Sequence, residues 1–171
     1  MDGFFACITK DPFAEVTQQN AISIYAPALQ GYSREIALAA AMLPLGNLNA
    51  VTSERIASLA DQAPKSAYCG IFALDPFVQW KDFLARIKLA GFRGVCNFPT
   101  LPEFGPEEEQ ALAASGFSFE HELEVLARFA EEGMDIAVVC PTQEAFGLAR
   151  VKFQGREVPL CLSKNVNFNG V

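Results

Sequence analysis

The sequence predicts an α/β fold in which a parallel sheet curls into a (β/α) barrel with helices outside. Strand-like segments alternate with helix-like segments, and each strand-like segment is a continuous apolar run, which is typical of strands buried on both faces. No GxGxxG or GxxxxGK[ST] loop occurs, so a barrel is favoured over an open nucleotide-binding sheet. Two Asp-Pro-Phe corners, at Asp11 and Asp75, repeat at a spacing of two βα units, as repetition of one unit would produce.

Five segments are predicted to be strands because they are short, apolar and bounded by Pro, Gly or polar residues. They are Phe4–Thr9, Ala21–Ala26, Ala67–Ala73, Gly94–Phe98 and Asp135–Cys140. Right-handed crossovers through the intervening helices then place all five in parallel.

The predicted helices begin at capping or acidic residues and end at glycines. Ser33 is a plausible N-cap, the acids at 107–109 suit a helix N-terminus, and Gly91, Gly116 and Gly133 are stop signals. The predicted helices are Asp11–Gln19, Ser33–Met42, Thr52–Ala63, Phe77–Ala90, Pro106–Ser115, Glu120–Glu132 and Gln143–Arg150.

The C-terminal part of the chain has a different pattern. Residues 1–150 are predicted to form the βα domain, whereas apolar residues at 151–162 alternate around Gln154-Gly155 as in a β-hairpin. Five to six βα units are fewer than a complete eight-unit barrel needs. We therefore expect an incomplete barrel whose open edge is covered by the hairpin-like tail, residues 151–171, or by a second copy in a homo-oligomer.

Composition limits the classes of partner. The net charge of −7 and the lack of a Lys/Arg stripe argue against nucleic acid, and no apolar run is long enough for a membrane span. The N-terminus lacks the charged n-region of a signal peptide. Five scattered cysteines without a CxxC pair indicate reduced, buried thiols in a cytoplasmic protein, and a single histidine makes a zinc site unfavourable.

Asp75 has two interpretations. An aspartate before proline is a strong helix start, so Asp11 and Asp75 are each expected to cap a helix. Asp75 also follows a central strand, at the carboxyl end where barrel enzymes keep their sites, and with Asn97 it could hold Mg²⁺ through oxygen ligands. His121 is expected to be a solvated surface residue, and the neighbouring Glu120, Glu122 and Glu124 are expected to be surface acids near the helix start.

Five segments stand in a fixed order: ISIYAP, LPLGNLNAV, LDPF, GFRGVCNFPT and SGFSFEHELEVLARFAEEG. This series resembles the phosphoenolpyruvate hydrolase-like TIM-barrel family, over roughly residues 4 to 145. The resemblance implies a barrel that acts on or binds a small carboxylic or phosphorylated acid, with Mg²⁺ as a possible cofactor. It also implies a set of site residues at one rim: catalytic Asp75 and Glu122, with Asp75 as metal ligand, and substrate-binding Tyr25, Asn49, Asn97 and Thr100.

Three segments depart from the family pattern. The stretch after the second strand, APALQGYSREIALAAAM, has Arg34 as its only positive charge, where the family's is rich in Asn, Ser, Gly and Arg. The family's GDAN has become GNLN at 46–49, and the loop after NFPT reads LPEFGPE. These departures leave open an alternative in which the chain is a non-catalytic binding or assembly module, or a truncated inactive relative. Absence of binding heat with phosphoenolpyruvate and Mg²⁺, beside an unchanged melting temperature, would count against the enzyme-type hypothesis.

Overall fold

The computed structural model describes residues 4–9, 20–43, 45–59 and 65–168. Seven strands occur in these ranges: β1 Phe5–Thr9, β2 Ala21–Tyr25, β3 Ala67–Ile71, β4 Gly94–Asn97, β5 Asp135–Cys140, β6 Leu160–Leu162 and β7 Val166–Phe168. Six α-helices accompany them: α1 Arg34–Leu38, α2 Leu48–Ala57, α3 Trp80–Ala90, α4 Pro106–Ala114, α5 Phe119–Glu131 and α6 Gln143–Lys152.

All paired strands run parallel, in the order β6-β5-β4-β3-β2-β1-β7. The two end strands, β6 and β7, are consecutive in the chain and are joined by a single 3-10 turn, Ser163–Asn165. The Phe4 N–H, just before β1, donates to the Leu160 carbonyl of β6 at 2.9 Å. The sheet is therefore nearly closed into a barrel with helices between its strands, and the predicted barrel-like fold is confirmed.

The C-terminal tail is not a hairpin, so this part of the prediction is wrong. Val151 and Lys152 end helix α6, and β6 pairs in parallel with β5 instead of folding back on a preceding strand. Gly155, at the expected hairpin turn, has φ +85 and lies in the turn that follows α6. The tail does lie at the sheet edges, because β6 extends one edge and β7 the other.

Alternate strand residues separate two apolar layers. One set fills the barrel interior, and it includes Ile24, Cys96 and Val139. The other set packs outward against α2, α3, α5 and α6, and it includes Ile71 and Val95. The period of two along a strand therefore decides whether a side chain faces the barrel axis or the helix layer.

Helix boundaries shift where local polar contacts compete with the apolar pattern. Asn47 caps α2 by accepting from the Ala50 N–H at 2.8 Å, so α2 begins at Leu48, before the predicted Thr52. Helix α3 begins at Trp80, later than the predicted Phe77. The predicted Ser33 cap and Gly91 stop are confirmed. The predicted helix Asp11–Gln19, with the capping role of Asp11, lies outside the described residues.

Candidate functional site

Asp75 does not cap helix α3, because its carboxylate makes a local turn five residues before that helix. Its Oδ1 accepts the Phe77 N–H at 2.9 Å, a contact of the Asx-turn type, and the helix then starts at Trp80. Its Oδ2 accepts from Asn49 Nδ2 at 3.2 Å. The side chain therefore fixes the corner after β3, and the predicted capping role is wrong.

Asn49 links the first turn of α2 to this corner. Its side-chain amide donates to the Phe72 carbonyl at 2.8 Å and accepts the Phe72 N–H at 2.9 Å. A third contact is the hydrogen bond to Asp75, and Asn49 is 3% exposed. Asn49 and Asp75 thus form one buried hydrogen-bonded group, which we call the β3 corner.

Asn97, Thr100 and Glu122 form a second buried group, the β4 corner. Asn97 Nδ2 lies within hydrogen-bond distance of Thr100 Oγ1 and Glu122 Oε2, and Thr100 Oγ1 donates to Glu122 Oε2 at 2.7 Å. The Leu101 N–H donates to Glu122 Oε1 at 2.8 Å. Asn97 also exchanges two hydrogen bonds with the Val139 backbone, at 2.8 and 3.0 Å, which extends the β4–β5 pairing by one side-chain rung.

Glu122 is a fully buried carboxyl, so the expectation that it is a surface acid is wrong, and its ionisation is perturbed. Desolvation by burial raises its pKa from 4.5 to about 7, although hydrogen bonds from Thr100, Asn97 and the Leu101 N–H act in the opposite direction. Such a group can exchange a proton near neutral pH. In this structure, however, its oxygens contact only protein donors and its side chain is 0% exposed.

Tyr25 belongs to the outer layer, and it is 4% exposed. Its ring stacks on the Phe92 ring, with 5.6 Å between ring centroids. Asn97 also points outward, since the adjacent Cys96 faces the barrel interior. Tyr25 ends β2 and Asn97 ends β4, and both side chains lie on the outer side of the sheet. Asn49 and Glu122 belong to helices α2 and α5.

A small apolar cluster lies beyond the carboxyl ends of β2, β3 and β4. Ala41, Leu74 and Leu101, from the segments after β2, β3 and β4, pack together as a separate cluster. Phe72 contacts both this cluster and the interior layer. The β3 corner and the β4 corner are two separate polar groups beside this apolar cluster.

An open groove of about 390 Å³ adjoins the β3 corner, between the first turns of α2 and α3. Asn49 forms part of its wall, together with Asn47, Ser53, Gln79 and Arg86. The Arg86 guanidinium lies 3.3 Å from Ser53 Oγ, and Gln79 leaves the N-terminus of α3 without a side-chain cap. The groove also contains two carboxylates, Glu54 and Asp82.

Sequence reasoning missed Arg86 and its neighbours because they belong to no family segment. Gln79, Asp82 and Arg86 recur at three- and four-residue spacing, so one face of α3 carries them. That spacing was a usable signal, but it predicts only a polar helix face. The position of α2 opposite, set by Asn49, turns that face into a groove.

A Mg²⁺ ion held at Asp75 stays a prediction. Both carboxylate oxygens of Asp75 already accept hydrogen bonds, and Asn97 belongs to the separate β4 corner. Among the residues that the structure describes, no group of three or more His, Cys, Asp or Glu side chains could hold a metal ion. Protein sites for Mg²⁺ usually combine one or two carboxylates with several waters, so a site here would depend mainly on Asp75.

A nearly closed parallel barrel with polar corners after β3 and β4 defines an α/β barrel protein of the TIM-like class. The sequence matches the family described as phosphoenolpyruvate hydrolase-like over residues 14–158, so the chain belongs to that family. This confirms the resemblance that the five ordered segments indicated.

Three curated proteins are similar to this chain. The tomato (Solanum lycopersicum) ToMV resistance protein Tm-1(GCR237) and the ToMV susceptible protein tm-1(GCR26) are each 33% identical over 89 residues, 52% of this chain and 12% of theirs. The uncharacterized protein y4oT of Sinorhizobium fredii is 26% identical over 132 residues, 75% of this chain and 64% of its own length. The chain thus spans a small part of the tomato proteins and less than two thirds of the rhizobial one.

No helix within the described ranges combines the length and apolar character that crossing a bilayer requires. The five cysteines are free and buried, as the sequence predicted. His121 lies partly exposed, with Nδ1 3.5 Å from Glu124 Oε2.

Proposed function

We propose that this barrel protein binds a small carboxylic or phosphorylated acid in the groove beside the β3 corner. The observation that carries the proposal is the convergence of Arg86, the amides of Asn47 and Gln79, and the uncapped N-terminus of α3 on that groove. The carboxylates of Glu54 and Asp82 in the same lining act against an anion, so the proposal rests on these donors being close enough to outweigh them. A guanidinium and backbone N–H groups at a helix start are suitable partners for a carboxylate or phosphate. Membership of the phosphoenolpyruvate hydrolase-like family supports this class of ligand.

The β3 corner positions this groove. Asn49 holds α2 against the β3 corner through its bonds to Phe72 and Asp75, and it contributes a groove wall directly. Asp75 orients Asn49 and the segment leading to α3. The contacts favour Asp75 and Glu122 as positioning residues, and their catalytic roles, like the substrate contacts of Tyr25, Asn97 and Thr100, stay predictions. The predicted Mg²⁺ at Asp75 stays a prediction, and ligand binding in the groove does not depend on it.

Isothermal titration with phosphoenolpyruvate, with and without Mg²⁺, tests the proposal. Wild-type protein is expected to give binding heat, and Arg86→Gln to weaken binding by about tenfold or more because a charged hydrogen-bond donor is lost. Arg128→Gln is the matched control: it removes the same charge from an exposed position on α5. Absence of heat with the wild type, or equal affinity in Arg86→Gln, contradicts the proposal.

Release of inorganic phosphate separates an enzyme from a binding module. Suppose that the wild type hydrolyses phosphoenolpyruvate. The predicted catalytic roles of Asp75 and Glu122 then require that Asp75→Asn and Glu122→Gln each lower kcat. Binding without phosphate release would support the alternative of a non-catalytic family member.

A further inference from the structure

A cavity of about 350 Å³ lies apart from the acid-binding groove, beyond the ends of β4 and β5. Its walls are the loop after β4, helix α4, and the first turns of α5 and α6. The volume is within the range of small-molecule sites, about 300–1,000 Å³. Neither the β3 corner nor Arg86 contributes to it.

The lining combines apolar and aromatic surface with negative charge. Phe104, Phe117 and Phe119 supply aromatic rings, and further apolar surface comes mainly from leucines and prolines. The charged side chains of the lining are Glu109, Glu120 and Glu144, and among its described residues there is no Lys, Arg or His. An apolar body with a positive charge is complementary to this combination, since carboxylates and aromatic faces both attract organic cations.

Three helix N-termini at the cavity oppose this preference but do not reverse it. Helix α4 begins at Pro106 in the lining. Ser118 caps α5 and Thr142 caps α6, with their side-chain oxygens accepting the His121 and Ala145 N–H groups. Each helix end carries roughly half a positive charge, so the three ends together offset about half of the charge of the three carboxylates and the cavity keeps a net negative character.

Helix α4 forms one wall, yet none of its residues is buried. Pro106, Glu109, Gln110 and Ala113 face the cavity, so the helix packs over the space and not into a core. A ligand in the cavity would supply the apolar contacts that α4 lacks. Binding would therefore stabilise α4 more than the rest of the molecule.

We propose that this cavity binds a small organic cation, an amine on an aromatic or branched apolar body. The carboxylates of Glu109, Glu120 and Glu144 neutralise the ammonium group, and the phenylalanines surround the apolar part. The site is independent of the acid-binding groove and takes a ligand of opposite charge. Failure of one proposal therefore leaves the other standing.

The test compares three probes of similar size: phenethylamine, neutral 2-phenylethanol and anionic 3-phenylpropionate. Isothermal titration at low salt is expected to rank the amine first, by about tenfold over the acid. Raised salt is expected to weaken binding of the amine, because it partly screens the carboxylates of Glu109, Glu120 and Glu144. Hydrogen exchange of the full chain is expected to slow on amine binding at residues 106–114.

A triple variant, Glu109→Gln/Glu120→Gln/Glu144→Gln, is expected to lose the preference for the amine. The matched control, Glu131→Gln/Glu132→Gln/Glu157→Gln, makes the same change in net charge at exposed positions outside the cavity and is expected to bind as the wild type does. Equal binding of amine and acid, an unaffected triple variant, or no binding of the amine would each overturn the proposal.

Discussion

At the scale of single residues, buried polar side chains replace backbone contacts at both corners. Asn97 pairs with the Val139 backbone as a strand residue would, and Asn49 does the same for Phe72. Because buried backbone groups need partners, these amides are structural requirements of the loops after β3 and β4. Sequence resemblance located these residues, but their pairing depends on coordinates that no local pattern supplies.

The ionisation of Glu122 makes folding stability depend on pH. The unfolded chain loses this proton near pH 4.5, whereas the folded protein keeps it up to about pH 7. The stabilisation from holding the proton is therefore complete below pH 4.5 and is lost as pH rises through 7, by up to roughly 3 kcal/mol. We expect Glu122→Gln to remove this part of the pH dependence.

Urea unfolding at a series of pH values from below 4.5 to above 7 measures the difference in unfolding free energy between wild type and Glu122→Gln. Glu131→Gln, exposed on the same helix, is the control and should keep the wild-type slope. A constant difference between wild type and Glu122→Gln over this range would show that the buried carboxyl does not titrate there.

At the scale of elements, the continuous apolar runs of β1 to β5 were sufficient to predict those strands. The tail was mispredicted because Gln154-Gly155 between alternating apolar residues is also the signature of a hairpin. Here Gly155 follows the end of α6, and β6 finds its partner in the distant β5. Pairing between segments far apart in the chain depends on the closed sheet and could not be deduced from local periodicity.

Gly94 shows how closely two of these elements approach. A Cβ at this position would overlap the Asp135 carbonyl oxygen of β5. Since that atom is backbone, the two strands must separate to accommodate it. We expect Gly94→Ala to lower the free energy of unfolding by about 3 kcal/mol or more, measured by urea denaturation.

Gly147 is the control for this substitution. It lies within α6, and among the described residues outside its own helix no atom lies within 4 Å of the place that a Cβ would occupy. Gly147→Ala should therefore raise stability by about 0.5–1 kcal/mol, through helix propensity. Similar losses in both variants would argue against the close β4–β5 contact.

At the scale of the whole molecule, closure depends on one short segment. β6 and β7 flank a three-residue turn and pair with β5 and β1, so the two edges of the sheet belong to the same stretch of chain. The homo-oligomer expected to form through an exposed sheet edge stays a prediction. In the described part of the chain, the nearly closed sheet leaves little free edge for it.

The five buried cysteines report on this closure. Cys161 of β6 is 0% exposed, as are Cys69, Cys96 and Cys140, and Cys7 is 5% exposed. Burial raises the pKa of Cys140 and Cys161 to about 12, so thiolate is scarce in the folded state.

If the barrel stays closed through β6, Cys161 should react with a thiol reagent no faster than Cys96 at the centre of the sheet, with both rates set by unfolding. Labelling followed by mass spectrometry of peptides measures each rate, and urea accelerates both equally if opening is global. The contrary outcome is a much faster reaction of Cys161, one that is lost in Cys161→Ala while Cys96 still reacts slowly. It would show that β6 opens separately from the rest of the sheet.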